Sequence, residues 1–501
     1  MSKTNNTKNN ILFSLVSMVV SATVGILIPR ITIIGYGSEV NGLLTSVLQF
    51  ITYLSLFEAG IQSVATKSLY RPVANGDIDN INSILSAVNH SYRRIGLIYL
   101  GSLLVLSAIF PIISSSTIDY ITVFIVVFFS GLGNVISFFV QGKYRILMIV
   151  EGKNYILTNI TTIVSVASNA IKVILLLCGI RVSFVMIAVF IISMIQPIVI
   201  SLYIKKNYVW IDLRSAPNND ALKNNTSALI HQISYLIFSN TDVVLLTIFC
   251  GLESVSVYSI YKLVLSYLMK ILQIPFDSCN FAMGQVFYTN RNRFCDYLDA
   301  LNVLMGAMSC AMFSIAFTLL LPFVKLYTAG ADIDYLSYSL ALLFIVMEAL
   351  NAFRIPSSCT INIAGHFKET VGRTILEMAI NIICSLAFVK IFGINGVVMG
   401  TVVALTYRDI DILIYTNKSI LKRKPGKTFM IYLTNITLGV ICAFIFSLIP
   451  FVIDSYMSFL ITGFILVLVT IPMFLVVNGV LFKTECSVLW SFAKSAILKK
   501  H

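Results

Sequence analysis

The chain has 501 residues, of which 58% are hydrophobic and only 11% are charged. Soluble domains contain roughly 25% charged residues, so this chain lacks the charges needed to cover a surface in contact with water. Its formal net charge of +13 would suit a nucleic-acid partner, but a mean hydropathy of +0.91 excludes that class. The composition predicts an all-α polytopic membrane protein.

Apolar stretches recur along the whole chain, each long enough to cross ~30 Å of hydrocarbon as a helix. There are fourteen of them, at residues 11–34, 41–64, 95–116, 119–141, 155–178, 181–204, 225–249, 255–283, 301–326, 336–363, 371–391, 394–416, 429–453 and 456–482. Several are separated by tight turns marked by glycine, as at Gly37, Gly179 and Gly393. The sequence therefore predicts about fourteen transmembrane helices.

The basic residues of the connections predict the orientation of these spans. If the N-terminus is cytoplasmic and the spans alternate, Arg181 and Lys390 are the only basic residues in the outer connections. Acidic residues gather on that outer side: Glu39, Asp119, Glu253, Asp332, Asp334 and Asp454. A single miscounted span would place every later connection on the wrong side of the membrane. The separation of basic from acidic residues therefore supports the count of fourteen spans. Both termini are predicted to be cytoplasmic.

Two cytoplasmic connections are longer than a turn and amphipathic. Residues 77–92 follow span 2, and residues 287–299 follow span 8. We expect each to form a short helix that lies at the cytoplasmic interface. Their positions, six spans apart, also indicate a repeat of six spans.

Short motifs recur at a fixed distance and support this internal repeat. Gly37-Ser-Glu39 after span 1 returns as Gly251-Leu-Glu253 after span 7, and Gly179-Ile180 returns as Gly393-Ile394, both 214 residues later. An even number of spans keeps the two copies in the same orientation, as in transporters with parallel repeats. We predict an N-terminal lobe at residues 1–210, a C-terminal lobe at residues 211–424, and spans 13 and 14 with a cytoplasmic tail at residues 425–501.

Spans 5 and 11 carry matching polar residues at a spacing that places each set on one helix face. The polar stripe of span 5 consists of Thr158, Thr162, Ser165, Asn169 and Lys172, and that of span 11 consists of Thr370, Thr374, Glu377, Asn381 and Cys384. We expect a central cavity between the lobes to hold the substrate.

Basic residues within the spans are the most informative feature, because an ionisable group at bilayer depth costs at least a few kcal/mol and normally faces water or a partner. Lys325 lies near the outer end of span 9, and Arg408 lies near the inner end of span 12 beside Asp409 and Asp411. These are expected to reach the membrane surface by snorkelling. Five others are predicted to line the cavity and bind substrate: Arg30, Lys172, Lys262, Lys270 and Arg354.

Pairing within the protein is the alternative for some of these cations. Arg30 follows Pro29 and Arg354 precedes Pro356, so both occupy regions where a helix kinks, and either could pair with Glu348 or Asp242. The acids predicted to pair or to couple to an ion are Glu58, Asp242, Glu348 and Glu377. The amides predicted to line the cavity are Asn169, Asn240 and Asn381.

The residue types of this cavity suit an anionic solute that carries sugars. Cations bind phosphate or pyrophosphate, while tyrosines and amides bind sugar rings and hydroxyls. The sequence contains no HExxH, Walker or GxSxG motif, and its four histidines are scattered, so neither an enzyme nor a metal site is predicted. No cofactor is expected, although an ion gradient could drive transport.

Several short motifs resemble the multidrug/oligosaccharidyl-lipid/polysaccharide exporter superfamily, and within it the Wzx-type oligosaccharide flippases. The resemblance covers almost the whole length of the chain. The residues concerned are Pro29-Arg30 with Gly35, Glu39 and Gly42 leading into GLLTSVLQFITYLSLFEAGI, then Asn240-Thr-Asp242, Gly251 through Val257-Tyr258 and Lys262, and Gly393-Ile-Asn-Gly396.

This resemblance implies a MATE-like fold and the transport of undecaprenyl-pyrophosphate-linked oligosaccharide across the bacterial cytoplasmic membrane by alternating access, for O-antigen, capsule or exopolysaccharide. It implies membrane lipid, a polysaccharide polymerase and chain-length proteins as partners. A drug/cation antiporter that uses Glu58, Asp242 and Glu377, and a lipid II flippase, are alternatives within the superfamily. A membrane-embedded glycosyl polymerase is a more distant alternative, because the outer connections are short.

Overall fold

A computed structural model describes residues 23–58, 61–222 and 226–498, and every regular element within these ranges is a helix. The predicted cytoplasmic N-terminus, the first half of span 1 and the last three residues lie outside the described part of the chain. The described residues fall into two compact units. The first extends to Val257 and includes Ala331–Ile333, and the second comprises Tyr258–Gly330 and the residues from Asp334 onward.

The helices of the first unit differ widely in length, from 9 residues in α6 to 36 in α4. They are α1 (Thr23–Tyr36), α2 (Ser38–Leu54), α3 (Ile61–Asn75), α4 (Ile78–Ile113), α5 (Tyr120–Val140), α6 (Gly142–Val150), α7 (Asn154–Leu177), α8 (Val182–Ser193), α9 (Ile195–Asn207) and α10 (Thr226–Phe249). Single turns of 3₁₀ helix lie at Ser55–Glu58 and Asn219–Leu222.

The second unit contains the longest helices of the chain. They are α11 (Gly251–Thr289), whose first turns belong to the first unit, α12 (Arg291–Tyr327), α13 (Tyr338–Phe353), α14 (Ile355–Ala364), α15 (Phe367–Phe392), α16 (Ile394–Tyr415), α17 (Gly426–Ser447), α18 (Tyr456–Leu481) and α19 (Lys483–Leu498). A short π-helical stretch, Thr416–Ile420, follows α16.

Eleven helices of the described chain are long and apolar enough to cross a membrane. The other three predicted spans coincide with α1, of which only Thr23–Tyr36 is described, with α2, which has 17 residues, and with α16, which carries Arg408, Asp409 and Asp411. The predicted all-α, multi-span architecture is therefore confirmed.

The prediction of two separate interfacial helices is wrong. Residues 78–92 form the start of α4, which begins after the N-cap Asp77 and continues without a break to Ile113. The other segment is divided between the end of α11 and the start of α12, which meet at Asn290. The apolar residues of these segments are buried, as Leu85 and Phe294 illustrate, because they extend the core beyond the spans instead of facing lipid headgroups.

The first unit is built around α4, whose aromatic residues pack against α5. Tyr92 and Tyr99 are fully buried and contact Phe138 with ring centroids 5.9 and 5.3 Å apart. On another side, α2 packs so closely on the start of α11 that a Cβ on Gly42 would overlap the carbonyl oxygen of Leu252. Close backbone approach of this kind is typical of helix pairs in membranes, where small residues form the contact.

A loop segment from between α12 and α13 belongs to the first unit and caps α2. The carboxylate of Asp332 accepts hydrogen bonds of 3.0 Å from the backbone N–H of Ser38 and a further one from the Ser38 hydroxyl. An acid at a helix N-terminus is stabilised by the exposed amides and the helix dipole. Burial opposes the charged form of Asp332, but these hydrogen bonds outweigh it and hold the pKa of its carboxyl below the usual range.

The second unit is built around α12, whose most apolar stretch is largely buried. Helices α13, α17, α18 and α19 pack against it. A second close pair is formed by α15 and α16, where a Cβ on Gly396 or Gly400 would lie less than 3.0 Å from backbone atoms of α15. Gly396 and Gly400 form a G-x-x-x-G pattern, which places both glycines on one helix face.

The glycines that suggested the repeat all have a positive φ. Gly37 and Gly251 have φ of 87° and 81°, and Gly179 and Gly393 have φ of 71° and 55°. These are left-handed values that residues with a Cβ rarely adopt. Each glycine lies between two helices, so the recurring motifs mark equivalent turns. The proposed lobe boundaries remain a prediction.

Candidate functional site

Charged side chains from three spans meet inside the second unit. Glu377 on α15 forms salt bridges with Arg354, at 2.7 Å, and with Arg408 on α16, at 3.3 Å. Asp411 forms a salt bridge with Arg408 at 2.8 Å and another with Arg373. We call these five residues the charged cluster. Glu377 and Arg408 are 5% and 6% exposed, so the centre of the cluster is shielded from solvent.

Local sequence features bring the cluster together. Helix α13 ends at Phe353 and α14 begins at Ile355 with Pro356 in its first turn, so Arg354 occupies the break between them. The break was expected from Pro356, because proline cannot continue the hydrogen bonds of the preceding helix. At Pro29 the outcome differs, since α1 continues through Pro29 and Arg30.

The cluster also requires that α15 and α16 form a tight hairpin around Gly393. Glu377 and Arg408 lie almost equally far from this turn along the chain, so their side chains reach the same depth. The contact is fixed by Asn381, which donates to Thr401 Oγ1 at 2.9 Å, and by Ser385, which donates to the Val397 carbonyl at 3.1 Å. The polar stripe of span 11 is therefore largely a helix-packing face.

Asp409 differs from the acids of the charged cluster. Both of its carboxylate oxygens are shielded from solvent, and neither has a hydrogen-bond partner among the described residues. A buried carboxylate without a partner is costly in its charged form. The charged groups that act on Asp409 are Arg354, Arg408 and Glu377, so it borders the charged cluster without belonging to its salt bridges.

Two lysines of α11 lie against tyrosines of the same helix. The Nζ atom of Lys262 is 5.3 Å from the ring centroid of Tyr258, and that of Lys270 is 4.7 Å from the ring centroid of Tyr267. A cation over an aromatic face gains about 0.5–2 kcal/mol, depending on exposure. Lys262 is half-buried and Lys270 is exposed, so both ammonium groups are held in place by tyrosines rather than enclosed.

The polar stripe of span 5 has a different environment from its counterpart. On α7 the buried face is formed by Leu157, Val164, Ser168 and Leu176, whereas Asn169 and Lys172 are half-exposed. Asn169 donates to the carbonyl of Ser165 at 2.8 Å. Strongly exposed apolar residues such as Ile163 and Leu177 occupy a third face. The stripe therefore lies between the packed face and the apolar exposed face.

The remaining predicted residues of the first unit occupy separate positions. Arg30 is half-buried on α1. Glu58 accepts a 2.8 Å hydrogen bond from the hydroxyl of Tyr92 on α4. Asp242 is buried on α10, where Asn240 donates to the carbonyl of Leu236 at 2.6 Å. None of these three charged residues is part of the charged cluster.

Glu348, on α13 of the second unit, is also buried, and it accepts from Asn351 at 3.3 Å. Glu348 and Asp242 were the predicted alternative partners of Arg354. In the structure, Arg354 instead forms a salt bridge with Glu377. The structure also places Arg408 and Asp411 inside the protein, although both were expected at the membrane surface. Within the described residues, no group of three or more His, Cys, Asp or Glu could hold a metal ion.

No protein-family model and no curated protein matches the sequence. Solved structures match the fold over nearly the whole chain. The lipid II flippase MurJ in an inward closed conformation has 15% identity and a TM-score of 0.66, with 94% of this chain and all of that chain covered. A multidrug resistance MATE family transporter of the MOP superfamily, inward-facing, has 14% identity and a TM-score of 0.58, with 86% and 96% covered.

The outward-facing conformation of a MATE family transporter also matches, with 14% identity, a TM-score of 0.51 and coverage of 89% and 97%. The chain therefore has the fold of MOP superfamily transporters, and the predicted MATE-like fold class is confirmed. Together with the eleven apolar helices, this fold makes the chain a multi-pass membrane protein.

Proposed function

We propose that this protein is a transporter that flips undecaprenyl-pyrophosphate-linked oligosaccharide units across the bacterial cytoplasmic membrane by alternating access. The units would supply the synthesis of O-antigen, capsule or exopolysaccharide. The fold of MOP superfamily transporters supports transport over enzymatic chemistry. Charges inside the spans support the substrate class, and a polysaccharide polymerase and chain-length proteins are the proposed partners.

The proposed substrate class rests on two lysines within the spans, Lys172 and Lys270. No acidic side chain of the described chain forms a salt bridge with Lys172 or Lys270. A lysine at bilayer depth without a carboxylate partner is costly unless it meets water or an anion. A pyrophosphate offers several charged oxygens for such lysines, and the neighbouring Tyr267 offers an aromatic face to a sugar ring.

The acids of the second unit support the same choice. A transporter of organic cations needs a carboxylate that is free to accept its substrate. Glu377 and Asp411 each already bind two arginines in the charged cluster. Two acids that are already paired with arginines, and two lysines that form no salt bridge with a described acid, favour an anionic solute over a cationic one.

A drug/cation antiporter is the second candidate function. It is favoured by Asp409, whose carboxylate has no hydrogen-bond partner among the described residues. Efflux of a cationic dye from cells separates the two candidates. The antiporter requires efflux that disappears in Asp409→Asn while surface polysaccharide is unaffected. The flippase proposal expects no dye efflux in the wild type.

Alanine substitution of Lys172, Lys262 and Lys270 is expected to reduce export of surface polysaccharide. Hydrogen bonds to charged groups contribute about 1.5–3 kcal/mol each, so each substitution should lower transport roughly tenfold or more. The measurement is surface polysaccharide in a host whose own flippase has been deleted, at matched membrane levels of each variant.

Lys325→Ala provides the matched control, since Lys325 is an exposed cation at the end of α12 and is predicted to lie at the membrane surface. It should export polysaccharide at the wild-type level. Normal export by all three other variants would contradict the assignment of these lysines to substrate binding.

A further inference from the structure

An apolar cavity of about 290 Å³ lies between α11, α12 and α19 in the second unit. Cys279 and Met283 line it from α11, Leu301 and Leu304 from α12, and Leu489 from α19. This cavity is separate from the charged cluster and from the lysines of α11, and nothing in the proposed transport cycle uses it. We call it the α19 cavity.

The α19 cavity lies at the inner ends of predicted spans 8 and 9. Helices α11 and α12 are joined at Asn290 on the side that the basic residues predict to be cytoplasmic. Met283 is the last residue of predicted span 8, and Leu301 is the first residue of predicted span 9. The cavity therefore lies on the inner-leaflet side of the membrane, where these two spans end.

Helix α19 covers the cavity and is fixed there by salt bridges. Lys427 at the start of α17 bonds both to Glu485 of α19, at 2.6 Å, and to the buried Asp299 of α12, at 2.8 Å. Beside Leu489, Trp490 is 75% exposed, as expected of an aromatic residue at a membrane interface. The cover is therefore an interfacial helix held on the protein at its first turn.

A basic residue, Arg293, lies at one end of the cavity. Its side chain is exposed, and its Nε donates a hydrogen bond to the hydroxyl of Tyr297 at 2.8 Å. Tyr297 itself lines the cavity. No acidic side chain in the described ranges forms a salt bridge with Arg293, so the remaining N–H groups of its guanidinium are available to an anion. Guanidinium groups match the geometry of phosphate oxygens.

We propose that the α19 cavity binds one acyl chain of an anionic membrane phospholipid, whose phosphate is held by Arg293. The apolar lining provides the site for the chain, its position at the inner ends of spans 8 and 9 is on the inner-leaflet side, and the exposed guanidinium next to Tyr297 provides the charge preference. This lipid site does not depend on the proposed transport of oligosaccharide.

The test compares lipid binding by purified full-length protein in detergent, measured by native mass spectrometry with added phosphatidylglycerol or phosphatidylcholine. The wild type should retain phosphatidylglycerol at least fivefold better than phosphatidylcholine. Arg293→Gln should lower phosphatidylglycerol binding to the phosphatidylcholine level, because it removes the charge at the mouth. Leu304→Trp should reduce binding of both lipids, because its ring fills the cavity.

Leu433→Trp provides the matched control, since Leu433 is 66% exposed on α17 and lies outside the cavity. It should bind both lipids as the wild type does. Arg293 is exposed, so Arg293→Gln tests the proposal even if Leu304→Trp fails to fold. Unchanged lipid preference in Arg293→Gln, or displacement of phosphatidylglycerol by equimolar undecaprenyl phosphate, would overturn the proposal.

Discussion

Replacing Glu377 by glutamine is expected to destabilise the protein by about 3–5 kcal/mol, the usual cost of removing one partner from a buried ion pair. Glu377 is the carboxylate shared by Arg354 and Arg408, and glutamine has nearly the same shape without the charge. The substitution therefore leaves excess positive charge in a shielded site between α14, α15 and α16. The measurement is the thermal unfolding of detergent-solubilised protein, followed by intrinsic fluorescence.

Glu369→Gln is the control for this substitution. Glu369 is an exposed acid in the first turn of the same helix, and its replacement should change stability by less than about 0.5 kcal/mol. A second substitution should restore part of the loss, because Glu377→Gln combined with Arg354→Gln removes one of the stranded charges. Equal stability of Glu377→Gln and wild type would show that the charged cluster contributes nothing to the fold.

Replacing Gly400 by valine is expected to separate α15 from α16. A Cβ at this position would lie less than 3.0 Å from the backbone nitrogen and Cα of Ser385, and a helix backbone cannot move aside as a flexible side chain can. Overpacking costs about 1–3 kcal/mol in ordinary cores, and we expect the upper end here. The shift should also separate Arg408 from Glu377, so polysaccharide export should fall together with the unfolding temperature.

Gly372→Ala is the control for Gly400→Val, because it adds a Cβ to α15 at a position with room for it. Gly372 lies on α15, and a Cβ there would meet no atom within 4 Å. Alanine favours helix by up to about 1 kcal/mol over glycine, so this variant should be as stable as the wild type or slightly more stable. A Gly400→Val protein with wild-type stability and export would contradict the close α15–α16 packing.

Much of the fold could be predicted because lipid imposes a simple pattern on the sequence. Each span requires about 20 apolar residues, and the turns between spans are marked by glycines whose positive φ explains their identity, as Gly179 and Gly393 show. The segment at residues 77–92 was misassigned for a physical reason. Its amphipathic pattern suits an interfacial helix and also the buried extension of a span, and the packing of Tyr92 decides between them.

Two of the five residues of the charged cluster, Arg354 and Glu377, were named from the sequence, but their pairing was not. Arg354 and Glu377 were both singled out as intramembrane charges, and a single span gives no information about which neighbour it faces. Arg408 and Asp411 were assigned to the membrane surface because they lie near the end of span 12. A usable signal was their distance from Gly393 along the chain, which is close to that of Glu377 and Arg373 on the preceding span.

The two polar stripes show a further limit of helical periodicity. The same spacing gives a face on α15 that is buried against α16, where Asn381 is fully shielded, and a half-exposed face on α7, where Lys172 lies. Periodicity places residues on one side of a helix. It does not say whether that side meets another helix, lipid or water, which depends on the packing of the whole unit.

The most direct test of the account is translocation by the purified protein in proteoliposomes that contain undecaprenyl-pyrophosphate-linked oligosaccharide. The fraction of sugar accessible to an external glycosidase reports movement between leaflets. The account predicts that wild-type protein moves the pyrophosphate-linked sugar, and that the triple variant Lys172→Ala, Lys262→Ala, Lys270→Ala moves it at the rate of protein-free vesicles. Equal rates for the wild type and the triple variant, or transport of a cationic dye in place of the sugar lipid, would contradict it.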